Sequence, residues 1–348
     1  MIEELNKLKE EGKVRVQSHP TLPLLIWNYT EQVAYSKEWT PLLLSCRGLI
    51  TDNEGNFVAK GFDKFFNYEE IEHKNEIPFE SDHFYVQTKI DGSLGILFYY
   101  RGEWVVATRG SFTSDQAIRA KKILDEKYNL DLFNWKHTYL FEIIYPENRI
   151  VVRYDYEDLI FISAFIKDME LSLESANILF RQSGIESKNI VSSKKLSKFS
   201  DRDYKNLKEN QYENEEGYVI RFHPSNYRFK IKFEEYVRLH KVMTNLSTTI
   251  IWETLMNGEK IEEILDGVPD EIYDKIKALS KRYKKGYNLV EDFYRDIYGK
   301  IKNSTSDRKE FAEKAKEFSY PSLLFKMDDG KDYNDLIWEI IKPEYEPI

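Results

Sequence analysis

The spacing of apolar residues along these 348 residues changes near Met243, and that change limits the fold more than any other feature. Upstream, short apolar runs stand between turn residues, the pattern of strands. Downstream, Ile272, Ile276, Leu279, Tyr283, Tyr287, Val290, Tyr294, Ile297 and Ile301 recur at steps of three and four, which lines one face of a helix. The expected architecture is α+β, with an antiparallel-sheet domain over 1–243 and an all-helical domain over 244–348.

Within the first region the pattern predicts a short helix ended by Gly12, a strand over LLLSCRGLIT, a turn at DNEG and a strand over FVAKGF. YVQTKIDGSLGILFYY and WVVATRGS follow as a hairpin turning at Arg101–Gly102–Glu103, then a helix over 114–128. Strands are expected over TYLFEIIYP, RIVVRYD and LIFISAFI, and helices over 172–183 and 201–210. GYVIRFH and YRFKIKF close the strand-rich part, and further helices are expected at 306–318 and 331–341.

Composition narrows the function. A net charge of −9 argues against non-specific wrapping of nucleic acid, so any polyanion site must be a local concentration of Lys and Arg. The single cysteine, Cys46, excludes an internal disulfide and a cysteine-based zinc cluster, and the six histidines show no metal-ligand spacing. The 24 Tyr and 21 Phe are read first as core filling. A charged amphipathic N-terminus and the lack of any apolar run of about 18 residues point to neither a signal peptide nor a membrane span. The expected setting is the cytoplasm, of a cell or of a virus-infected host.

The chemistry centres on Lys89-Ile90-Asp91-Gly92-Ser93. A strand delivers Lys89 into a glycine turn, where a backing core can desolvate the amine and lower its pKa. A neutral lysine is a nucleophile able to attack an α-phosphate, and Gly92 lets the backbone approach a nucleotide. An ordinary hairpin turn with a surface lysine fits the same residues. Charges embedded in apolar strands add weight: Glu142 in YLFEIIYP, Glu216 before GYVIRF, and Lys230 and Lys232 alternating with Phe229, Ile231 and Phe233. In a strand the two lysines share one face, where they can hold phosphates or simply face water.

Taken together these motifs resemble the covalent nucleotidyltransferase superfamily of ATP-dependent ligases and capping enzymes, and most closely the RNA ligase 1 family of bacteriophages. Cys46-Arg47-Gly48, Lys64-Phe65-Phe66-Asn67, Lys89-Ile90-Asp91-Gly92, Arg109-Gly110-Ser111, Glu142 with Asn148-Arg149-Ile150-Val151, Glu216-Gly217-Tyr218-Val219 and Phe229-Lys230-Ile231-Lys232 carry the likeness, over roughly residues 25–243. It implies a nucleotidyltransferase (adenylation) domain with Lys89 as nucleophile and Asp91 and Gly92 beside the nucleotide. It also implies Glu142 on the ribose, Arg47, Lys64 and Arg109 on phosphates, and Phe66 against the adenine. Glu216 holds a divalent metal or its water shell, and Lys230 and Lys232 neutralise the triphosphate. A family tyrosine near the nucleotide is replaced by Trp27 on this reading.

The implied cofactors are ATP and Mg2+ or Mn2+. The implied partner is RNA with 5′-phosphate and 3′-hydroxyl ends, cleaved transfer RNA included, met by a monomer without a membrane. A DNA ligase or capping enzyme would place a β-barrel where helices are expected here. A catalytically inert RNA-binding relative would lack Lys89, Glu216, Lys230 or Lys232, and all four are present. The run Lys275, Lys277, Lys281, Arg282, Lys284, Lys285 is read as a solvated helix face, because acids outnumber bases in that region.

Overall fold

The computed structural model describes residues 2–81, 83–149, 151–209, 214–261 and 270–347. Ile150 lies outside them, as do Asn210 at the expected end of one helix and the side chain of Ile272. The chain divides into two compact units, Met1–Val237 and Arg238–Ile348, against the boundary at 243 drawn from the pattern.

The first unit holds three antiparallel sheets. After α1 (Ile2–Glu10) come β1 (Val14–Ser18), β2 (Leu24–Tyr29), β3 (Arg47–Asp52) and β4 (Phe57–Ala59), paired in that order. The second sheet runs β10 (Met169–Glu170), β9 (Asp158–Ile166), β8 (His137–Ile144), β6 (Ser93–Tyr100) and β7 (Glu103–Thr108). The third runs β11 (Ser193–Leu196), β5 (His83–Thr88), β12 (Gly217–His223) and β13 (Arg228–Lys232). The α+β class and antiparallel pairing are as the sequence predicts, and β6 and β7 form the expected hairpin, with Tyr100 opposite Glu103.

One expected strand is shortened and another is not a strand. LLLSCRGLIT divides into α3 (Pro41–Ser45), which follows the two-turn α2 (Glu31–Ser36), and β3. Thr40 caps α3 by accepting a hydrogen bond from Leu43 N–H, and Pro41 occupies its first turn, so local helix-start chemistry overrides the apolar run. The described part of RIVVRYD pairs with no strand. The N–H groups of Val151 and Val152, which a ladder would use, both donate to one oxygen of Asp91 at 2.9 Å.

Packing follows the strand period. Phe229 and Ile231 are fully buried, while Arg228, Lys230 and Lys232 take the other face of β13. The helices α4 (Asp115–Lys127), started by Ser114, and α5 (Leu173–Gln182), started by Ser172, pack apolar faces on the second sheet around Tyr139, Phe161 and Phe180. α6 (Asp201–Glu209) stands where a helix was expected, and α7 (Glu234–Asn245) follows β13 directly.

The second unit is helical in its described residues: α8 (Thr248–Met256), α9 (Asp270–Asn303), α10 (Arg308–Ala315), α11 (Pro321–Asp328) and α12 (Asn334–Ile340). Along α9, Ile276, Tyr283, Tyr294, Ile297 and Ile301 are buried on the face their spacing predicts. The basic residues from Lys275 to Lys285 are exposed, a solvated face as expected. Among the described residues no helix is long and apolar enough to cross a membrane.

Pairing of β6 on both sides, with β8 and β7, makes one glycine decisive. A Cβ on Gly95 would lie 2.1 Å from the Phe141 ring on the neighbouring β8. Gly95→Ala is expected to destabilise the chain by about 1–3 kcal/mol in urea unfolding. Adding Phe141→Leu should recover part of that loss, and a single-variant curve matching wild type would contradict this register.

Candidate active site

Lys89 follows β5, and its N–H donates to the Gly217 carbonyl at the start of β12, 2.9 Å away. β6 begins at Ser93 in a different sheet, so residues 89–92 are a crossing between sheets and not the turn of a hairpin. Lys89 therefore sits in a slot between two sheets. The third sheet contributes Gln87, Thr88, Val219, Arg228 and Lys230, the second contributes Leu94, Glu142 and Ile162, and Arg47, Phe62 and Phe65 are among the other walls.

Three charged residues interlock. Lys89 Nζ lies 2.6 Å from one oxygen of Glu216, and Lys232 Nζ lies 2.9 Å from the other. Glu216 is almost wholly buried, and Lys89 keeps only 20% of its side chain exposed. Burial alone would push the lysine pKa down, but the charges of Glu216 and Glu142, the Glu216 hydrogen bond and Asp91 outweigh it. They hold Lys89 above its ordinary value, which corrects the expectation of a neutral amine. Glu216 is held below its ordinary value despite burial, by Lys89 and Lys232.

The remaining charges lie in an environment that suits neither. Burial pushes the Glu142 carboxyl up to about 7 even with Lys89 nearby. Its Oε2 and the Nη1 of Arg47 are buried without hydrogen-bond partners. Burial, reinforced by Lys64, Lys89, Arg47 and Lys232, pushes Lys230 down to about 7. Burial also lowers Arg47 and Lys64, and Arg109 adds repulsion to both. Among the described residues, Arg47, Lys64, Arg109 and Lys230 have no carboxylate within ion-pair distance. Among the described residues, these cations are charges that no ion pair matches, an arrangement that suits an anion.

Several assignments change. Asp91 does not face the slot: one oxygen accepts from Val151 and Val152, and the other accepts from the Tyr236 hydroxyl at 2.8 Å. It fixes the crossing segment instead. At Gly92 the close approach is to β8, because a Cβ there would meet the Ile143 carbonyl at 2.8 Å. Phe66 is outside the slot walls and packs edge-on to Trp39, with ring centroids 5.7 Å apart, while Phe65 lines the slot. Trp27 is buried and donates to Thr51 at 3.0 Å, away from the site. Tyr29 meets the arginines instead: its hydroxyl favours the charged form of Arg47, and Arg109 lies 5.9 Å from its ring. Glu216, expected at a metal, has both oxygens committed to lysines.

Two residues that sequence reasoning passed over were within its reach. Arg228 has the same strand parity as Lys230 and Lys232, and it lines the slot while pairing with Glu170. Tyr236 follows the paired-lysine strand by a single helical turn and donates to Asp91.

The sequence profile of the RNA ligase family matches residues 45–237, more than half of the chain. The chain belongs to that family. An RNA ligase of Rhodothermus phage RM378 is 23% identical over 85% of this chain and 80% of its own length. A protein of Autographa californica nuclear polyhedrosis virus, provisionally named a bifunctional polynucleotide kinase/RNA ligase, is 30% identical over 43% of this chain. The chain spans a quarter of the length of that viral relative. Among solved structures, an archaeal ATP-dependent RNA ligase shares the fold with a TM-score of 0.51 at 13% identity, over 95% of this chain and 96% of that one.

In this family member the folded pKa of Lys230 lies below the ordinary lysine value of 10.5. The cost of its charge is therefore fully present below pH 7 and fades as pH rises from about 7 toward 10.5. Lys230→Met is expected to stabilise the ligand-free chain by on the order of 1–3 kcal/mol at acid pH. Melting curves across that range should show the gain shrinking as pH rises, and a gain independent of pH would contradict the buried unpaired cation.

Proposed function

We propose that this chain is an ATP-dependent RNA ligase that joins a 3′-hydroxyl to a 5′-phosphate through a lysyl-AMP on Lys89. One observation carries the reading. Arg47 and Lys230, neither with a carboxylate within ion-pair distance among the described residues, line one slot beside the buried Lys89, with the charges of Lys64 and Arg109 close by, in a chain of net charge −9. Holding such charge costs several kcal/mol per ion unless an anion arrives to match it. A triphosphate supplies that anion, and family membership supplies the reaction class.

In the first step Lys89 Nζ attacks the α-phosphorus of ATP, forming an N–P bond as the bond to pyrophosphate breaks. The lysine proton must leave beforehand. In the free protein the amine keeps it and donates a hydrogen bond to Glu216 at 2.6 Å, and Glu142, whose carboxyl is pushed up to about 7, is a further acceptor in the slot. Glu142 is the residue that would hold Mg2+ or Mn2+. The buried, unpartnered Oε2 of Glu142 fits that role, since magnesium uses one or two carboxylates together with phosphates and water. Such an ion, when bound, supplies positive charge that favours release of the lysine proton.

Arg47, Lys64, Lys230 and Lys232 hold the phosphate oxygens and the departing pyrophosphate. AMP then passes to an RNA 5′-phosphate, and an RNA 3′-hydroxyl displaces it. The setting proposed is repair of broken single-stranded RNA, cleaved transfer RNA included, by a cytoplasmic monomer.

Incubated with magnesium and ATP labelled on its α-phosphate, the wild type is expected to carry label through a denaturing gel. Lys89→Ala should carry none yet still join pre-adenylylated RNA. Lys230→Ala and Lys232→Ala are expected to slow labelling about a hundredfold or more. Failure of the wild type to label would mark an inert relative. In a ligation panel of single-stranded RNA, a cleaved anticodon stem-loop, nicked duplex RNA and nicked DNA, sealing of nicked DNA alone would refute the RNA assignment.

A further inference from the structure

A cavity of about 1120 Å³ opens beside the Lys89 slot, and the two share Phe62, Phe65 and Arg228 in their walls. Their chemistry differs. Six carboxylates, among them Glu70, Glu72 and Asp168, face the larger cavity together with only four Lys and Arg side chains. Three of those cations are already paired, Lys37 with Glu72, Lys60 with Asp63 and Arg228 with Glu170, which leaves Lys64 without an ion pair among the described residues. Such a lining gives no attraction to a terminal phosphate or a triphosphate, whereas the slot does.

The larger cavity offers aromatic surface instead. Trp39 and Phe66 line it edge to face, and both are half-exposed. Lys64 Nζ stands 5.0 Å from the Phe66 ring centroid and 6.0 Å from that of Trp39. Aromatic faces flanked by an isolated cation suit single-stranded nucleic acid: bases stack on the rings while the cation meets the backbone. Lys64 also repels, and is repelled by, the cations of the slot, so the cavity ends where the phosphate site begins.

We infer that this cavity seats the terminal nucleotides of the strand that presents the 3′-hydroxyl, with a base stacked on Trp39. The inference rests on the reading of the chain as an RNA ligase. Joining requires a hydroxyl end to meet an activated 5′-phosphate. The unneutralised slot receives the phosphate end, and the acid-balanced aromatic cavity receives the end without a terminal phosphate. Shared walls bring the two ends together.

Photocrosslinking and kinetics test this on the full chain. A short RNA with 4-thiouridine at its 3′-terminal nucleotide is expected to crosslink to Trp39, Phe66 or an adjoining cavity wall. The same photoprobe at a 5′-phosphorylated terminus is expected to mark slot residues. Trp39→Ala should raise the acceptor KM about tenfold or more in joining pre-adenylylated RNA, the effect of losing one base–aromatic stack. Its kcat and its Lys89 labelling by ATP should stay within about twofold, which also reports a folded chain, and Trp39→Phe should recover most of the KM. An unchanged acceptor KM in Trp39→Ala, or a 5′ probe crosslinked in the cavity, overturns the assignment and leaves the ligase reading standing. A wild type that never labels with ATP sinks the ligase reading, and the crosslink positions still decide what the cavity holds.

Discussion

The ion triad of Lys89, Glu216 and Lys232 is the contact on which the site is organised. One buried carboxylate, with an ammonium at 2.6 Å on one oxygen and at 2.9 Å on the other, fixes the end of β5, the start of β12 and the end of β13 at a single point. Removing either lysine would leave a buried negative charge less than matched, and such losses are large. The same contact favours the protonated form of Lys89. On the proposed reading, this protects the resting chain from indiscriminate attack by Lys89 until a ligand competes for Glu216.

Around the triad, positive charge is left over by design of the strands. β13 alternates fully buried Phe229 and Ile231 with Arg228, Lys230 and Lys232, so hydrophobic burial on one face forces three cations onto the other. Arg228 satisfies Glu170, Lys232 satisfies Glu216, and Lys230 has no carboxylate within ion-pair distance among the described residues. The folding energy of the apolar face holds an otherwise unfavourable charge in place. Binding sites that carry unmatched charge commonly trade stability for function in this way.

Much of this was legible in the sequence, where the physics is local. Strand parity placed Lys230 and Lys232 on one face, and helical spacing placed Ile276, Tyr283, Tyr294 and Ile297 in a core. What escaped was set by partners distant along the chain. The protonation of Lys89 depends on a carboxylate 127 residues away, and no local pattern reveals that distance. The lack of a strand over the described residues 151–155 depends on Asp91 drawing two N–H groups out of any ladder. Phe65 and Phe66 lie in an irregular segment without a period, so parity could not tell which ring enters the slot. Trp27 and Tyr29 share a strand face, and only the fold shows that the second reaches the arginines.

The crossing at residues 89–92 has a mechanical consequence. Lys89 and Glu216 are carried by one sheet, tied by the Lys89 N–H to the Gly217 carbonyl, whereas Glu142 belongs to the sheet opposite. Breathing of the cleft would therefore stretch the distance from the amine to Glu142 and leave its bond to Glu216 untouched. Of the lysine's two acidic neighbours, one travels with it and the other acts as a gauge of how far the jaws are closed.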